Sequence, residues 1–216
     1  MEKAELYDYI KDLSMNYFKE LQKEFNVEND IIECNFRILP YQKIYEQIYY
    51  NINEHYKTHN FFMFGVPLIV NHKYIFTGLS SELLFEYVIY FPEENLNKNI
   101  NDYSDEELSI ILKLIKLSIR HEYGHFIDFY NDIIYNGINY AYDKYIYNCK
   151  CYPINIKNVK KKISKVPCKF KYISYIKEYF NIPRENRANT YGKINMPELF
   201  YIYSKYEKIL NKYRIR

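Results

Sequence analysis

The strongest constraint on this chain is an apolar run, Asp105 to about Tyr130, that carries two histidines and an acid near its end. Ile110, Ile111, Leu114, Ile115 and Leu117 recur at helical spacing. Ser104 and Glu107 form the S-x-x-E pattern of a helix start just before it. The spacing predicts a largely buried helix with His121-Glu122-Tyr123-Gly124-His125 close to its C-terminal end. Two histidines four residues apart project from one helix face, one turn apart, so both imidazoles can reach one metal ion. Glu122 then points beside that metal, where a carboxylate can take the proton of an attacking water. Tyr123, Gly124, Phe126 and Ile127 carry no charge, which argues against two solvent-facing histidines with a solvated acid.

Two histidines leave such a site one ligand short, because a catalytic zinc usually has three protein ligands and a water. No histidine follows His125, and His55, His59 and His72 are expected on the surface or in loops. Asp128 lies three residues past His125 on the same helix and suits an orienting or structural role. Glu185 is the better third ligand. Pro183 opens a helix there, and Glu185 and Asn189, four apart, share a face. Glu185 can bind the metal while Asn189 hydrogen-bonds a ligand imidazole, and Ala188 leaves room for close packing on the metal helix.

A chain of 216 residues with 48% hydrophobic residues can build one substantial core, so a single domain over 1–216 is expected. Within it, 1–58 reads as N-terminal helices, 59–130 as a sheet plus the metal helix, 131–168 as a lysine-rich insertion or lid, and 169–216 as the third-ligand helix and a C-terminal helix. Helical spacing marks residues 4–25 and about 41–56, with an extended stretch at 31–39 between them. From Phe61 to Tyr90, runs of aromatic and β-branched residues predict a small antiparallel sheet, with Asn71-His72 turning a hairpin. Asn131 to Pro167 reads as irregular, and helices return at 170–180, from Pro183, and over 199–213. The fold class is therefore α+β.

The N-terminus has acids among its apolar positions and lacks a signal sequence's apolar core. The longest strongly apolar stretch, Phe61 to Val70, contains Gly65 and Pro67 and is too short to span a bilayer. With four cysteines and no secretion signal, a cytoplasmic location and free thiols are expected, and no membrane partner. Cys149, Cys151 and Cys168 could supply a structural zinc site, but the C-x-C spacing is tight and no fourth ligand stands nearby. Nine lysines and no acid lie between Lys144 and Lys171, so with a net charge of +3 the remainder carries −6. A solvated lid is the default for that segment. Docking of nucleic acid through Lys157, Lys160, Lys161, Lys162 and Lys165 is a weaker reading.

The H-E-Y-G-H block, followed by Glu185-x-x-Ala188-Asn189-x-Tyr191-Gly192 and Met196-Pro197-Glu198, resembles the ImmA/IrrE metallopeptidases over about residues 61–200. Gly192 stands where that family has Ala, and the 60-residue separation of His125 and Glu185 is longer than its usual one. The resemblance implies a compact zincin-like (gluzincin) fold, with a small antiparallel sheet and a helix packed on the metal and Glu helices. It also implies one zinc held by His121, His125 and Glu185, with Glu122 as base and Asn189 in support. The implied activity is intracellular cleavage of a protein, commonly a helix-turn-helix repressor of a phage or mobile element. The opposing reading is a non-catalytic regulatory protein that docks a protein or nucleic acid through its lysine-rich patch.

Overall fold

The computed structural model describes residues 3–27, 33–40, 62–69, 83–91, 103–167 and 170–213. The chain divides into two units, Met1–Leu108 and Ser109–Arg216. In the first, helix α1 (Lys3–Phe25) buries Ser14, Phe18 and Leu21, at helical spacing along one face. Three strands, β1 (Glu33–Pro40), β2 (Phe62–Ile69) and β3 (Leu83–Phe91), pair in the order β1-β3-β2. β1 runs parallel to β3, with Glu33 opposite Leu84, and β2 runs antiparallel to it, with Phe62 opposite Tyr90. Pro67 falls on β2, at the sheet's edge, where a missing N–H is tolerated.

Helix α2 (Asp105–Asn136) begins just before the boundary and dominates the second unit. Its start carries the reciprocal bonds that the sequence marks: the Ser104 N–H donates to Glu107 Oε2 at 3.0 Å and the Glu107 N–H to Ser104 Oγ at 3.3 Å. Four more helices follow: α3 (Ile138–Ile163), α4 (Lys171–Phe180), α5 (Pro183–Tyr191) and α6 (Met196–Tyr213). Helix α4 is the wedge between them. Ile176 and Phe180 pack with Leu199 of α6 and Leu117 of α2, while Tyr175 and Tyr179 also reach Val159 and Ile163 of α3. Each fully buried Ile or Phe of this kind contributes about 1.5–3 kcal/mol.

The architecture corrects the expected fold class. The described residues are predominantly helical, and none of those in the second unit, which carries H-E-x-x-H, lies in a strand. An α+β, zincin-like fold with a small antiparallel sheet packed on the metal helix is not what it adopts. The strands belong to the first unit, and their sheet is mixed. A period of two shows that a segment is extended, but not which segment pairs with which; the parallel β1–β3 pair needs a crossover that local sequence does not encode.

The segment 131–167 is also not irregular. Most of it is the 26-residue α3, whose inward row is Ala141, Tyr145, Cys149, Tyr152, Ile156, Val159 and Ile163, at steps of three and four. That row holds the helix despite Pro153, which removes one backbone donor from its interior. The expected helix at about 41–56 and the Asn71-His72 turn lie outside the described residues, as do His55, His59, His72 and Cys168.

Candidate metal centre

The site is built where α2 and α5 come closest, and two glycines allow the approach. A Cβ added at Gly124 would stand 1.9 Å from the Ala188 carbonyl oxygen and 2.8 Å from the Gly192 nitrogen. One added at Gly192 would stand 2.6 Å from the Arg120 carbonyl oxygen. Arg120 also donates from Nη1 to the Gly192 carbonyl at 3.2 Å, tying the end of α5 to α2. Gly192 therefore serves close packing, not a left-handed turn: its φ is −71°. The left-handed residue that ends the helix is Lys193, at φ 53°. Its N–H bonds to the Thr190 carbonyl, and that of Ile194 to the Asn189 carbonyl.

This contact brings Glu185 to His121 and His125, which lie 64 and 60 residues earlier in the sequence. Glu185 Oε2 lies 3.0 Å from His121 Nε2 and 3.2 Å from His125 Nε2, and all three side chains are buried. Asn189 Oδ1 lies 2.8 Å from His121 Nδ1, so the amide orientation makes Nδ1 the donor. The neutral His121 ring then aims its Nε2 lone pair at a carboxylate oxygen, an arrangement that only a proton or a cation can relieve. Ligand atoms about 2.0–2.2 Å from a tetrahedral zinc stand roughly 3.3 Å from one another. The two histidine–glutamate separations are close to that edge length, and all three atoms lie within 4.8 Å of one another. The buried His/His/Glu group could hold a metal ion.

Electrostatics agree with a convergent donor set. Burial opposes a charge on His121, but the hydrogen bond it donates to Glu185 and the charges of Glu122 and Glu185 outweigh it and hold its pKa above the ordinary 6.5. Burial pushes His125 down to about 4, and the charge of Glu185 offsets this only in part. Burial alone would raise the Glu185 carboxyl, yet the two imidazoles hold it well below its usual range. The group thus keeps an ionised carboxylate and a neutral His125, with any proton on His121. Glu122 is also buried, and its charge acts on His121, Tyr179, Arg184 and Tyr203. Among the described residues, the buried polar side chains are Ser14, these five site residues and Asp128. Five of these seven gather where α2 meets α5, although burying polar groups is costly unless they are paired.

Asp128 is a structural tie: it accepts from Arg187 Nε at 3.0 Å and from Lys144 Nζ at 3.4 Å, joining α2 to α5 and α3. Two residues escape sequence reasoning. Tyr179 donates to Glu185 Oε2 at 3.0 Å and receives the Tyr152 hydroxyl at 3.4 Å, so α3 and α4 brace the carboxylate. Phe180 meets the His121 ring edge-on at a centroid distance of 5.2 Å. With 28 tyrosines in the chain, nothing in composition singles out Tyr179; its place six residues before Glu185, in the last turn of the preceding helix, was the available signal. Cys149 and Cys151 are free thiols two apart on α3, a spacing that points them to different faces, and Arg184 Nη1 lies 3.9 Å from Cys149 Sγ. Among the described residues, His121, His125 and Glu185 form the only group of three such side chains able to share an ion, and no helix is long and apolar enough to cross a membrane.

No family model matches the chain, and no curated protein or solved structure is significantly similar to it.

Proposed function

We propose that this chain is a zinc-dependent endopeptidase acting on an intracellular protein. The observation that carries the reading is the buried convergence of His121, His125 and Glu185, with Glu122 beside it. Two imidazoles and one carboxylate suit zinc and leave a fourth position open. His121, His125 and Glu185 would hold a divalent cation, and the chemistry it would supply is polarisation of a carbonyl and activation of a water near neutral pH. Glu122 takes the proton of the attacking water and passes it to the leaving amine. Asn189 fixes the His121 ring through Nδ1, and Tyr179 fixes the Glu185 carboxylate. The likeness of the H-E-Y-G-H and E-x-x-A-N blocks to the ImmA/IrrE metallopeptidases supports a helix-turn-helix repressor of a phage or mobile element as the substrate class.

The test begins with zinc per chain by elemental analysis of wild type, His125→Ala and Glu185→Ala. About one zinc in wild type, lost or much weakened in both variants, is expected. Labelling of new protein N-termini in a cell extract then compares wild type with Glu122→Gln. New termini that vanish in the variant while its zinc remains are the expected result. Zinc-independent behaviour, with Glu122→Gln unchanged, would overturn the enzyme reading in favour of a binding protein.

A further inference from the structure

Helix α3 uses its inward row for the core, and its outward face carries a second pattern. Tyr140, Tyr147 and Ile154 stand there at seven-residue intervals, 50%, 67% and 63% exposed. Seven residues are nearly two turns, so the three side chains form one row about 21 Å long. Lys161 continues that row, and Lys150 and Lys157 lie one turn beyond Tyr147 and Ile154 on its flank. Lys144 pairs with Asp128 and Asp132, and Lys162 with Glu178. Lys150, Lys157 and Lys161 are exposed and have no ion pair among the described residues. Asp143 is the one acid on this face, at its N-terminal end.

A single exposed tyrosine is ordinary, but a heptad-spaced apolar row flanked by unpaired cations has a definite complement. It fits an amphipathic helix with an apolar seam and acidic flanks. A second copy of this chain fits badly, since it would set lysines against lysines. Nucleic acid would use the lysines but not the apolar row. A membrane surface calls for a broad apolar face rather than one row. We infer that the outer face of α3 docks an acidic amphipathic helix of a partner protein, independently of the chemistry at the metal centre.

The probe is a fluorescein-labelled designed peptide of about three heptads with Leu at the seam and Glu on both flanks. Controls are the same peptide with Lys flanks and a short DNA duplex. Anisotropy should show binding of the acidic peptide that weakens between about 50 and 200 mM salt, with no binding of the Lys-flanked form. Tyr147→Ser with Ile154→Ser, and separately Lys150→Glu with Lys157→Glu, should each weaken it about tenfold or more. The charge-matched change of Lys19 and Lys208 to Glu should not, and unchanged circular dichroism would show that all variants fold. The proposal is overturned by failure of the acidic peptide to bind at low salt, or by equal binding of both peptides. Insensitivity to either α3 pair, tighter binding of the duplex, or a dimer that the Tyr147/Ile154 pair dissolves would overturn it too.

Discussion

Replacing Gly124 by Ala opposes two effects whose sizes decide the outcome. In a helix interior, Gly to Ala gains about 1 kcal/mol from propensity. Here the added methyl would lie 1.9 Å from the Ala188 carbonyl oxygen, and 2.8 Å from both the Ala188 carbonyl carbon and the Gly192 nitrogen. A relaxed C···O contact is about 3.3 Å, so α2 and α5 must part by more than about 1 Å. Both neighbours are backbone, so no side chain can swing aside. Overpacking of this order costs about 1–3 kcal/mol and occasionally more, which should exceed the propensity gain. The effect on the metal is larger, because ligand distances tolerate only about 0.2 Å. His121 and His125 would stay on α2 while Glu185 moved away with α5. Metal affinity should therefore fall by about 100-fold or more, read by competition with a chromophoric chelator. Urea denaturation of the metal-free protein should show lower stability. Gly137→Ala separates strain from contact: that residue has φ 85° with nothing within 4 Å of an added Cβ. It should cost about 1–3 kcal/mol and leave metal affinity unchanged. A Gly124→Ala protein more stable than wild type, with wild-type metal affinity, would refute the close approach and the site built on it.

Three further outcomes are expected. Tyr179→Phe keeps the ring but removes the donor to Glu185 Oε2, so metal affinity should fall about 10-fold or more with the fold intact; unchanged affinity would remove Tyr179 from the site. In chelator-treated protein, His125 at about 4 contributes stability present above pH 6.5 and lost as the pH falls toward 4. Glu185, held well below its ordinary 4.5, adds stability that is lost only as the pH falls through its lower folded value. His121, held above 6.5, contributes stability present below 6.5 and lost as the pH rises through its folded value. Urea titrations should thus show the acid-side loss between pH 6.5 and 4 flattened in His125→Gln, and an identical slope would contradict the burial argument. Lys193→Gly relieves a left-handed backbone at φ 53° and should raise stability by about 0.5–1 kcal/mol; a loss would mean that the Lys193 side chain contributes more than the strain costs.

Local sequence carried a large part of this site because the chemistry is periodic. His121 and His125 meet through helical spacing alone, and the Ser104–Glu107 start needs only four consecutive residues. Glu185 and Asn189 share a face for the same reason, so both halves of the donor set were legible apart. Their meeting follows from the need for a third ligand and from the room that Ala188 leaves, but the part of Gly124 and Gly192 in letting the two backbones touch was not legible. The inward row of α3 was present in the sequence, from Ala141 to Ile163, but lysines on the other face gave the segment the look of a solvated loop.

Strand partners belong to a different class of fact. The aromatic and β-branched runs that become β2 and β3 mark extended backbone, while the parallel pairing of β1 with β3 is a choice among long-range partners that no short window contains. The sequence alone determined which residues lie on which helix face, since side-chain direction follows from backbone period. Only the tertiary structure decided that Tyr179, one of 28 tyrosines, braces Glu185, and that the motif helix is enclosed by helices. Those outcomes depend on how faces pack across long stretches of chain, and packing is settled by shape and volume rather than by period.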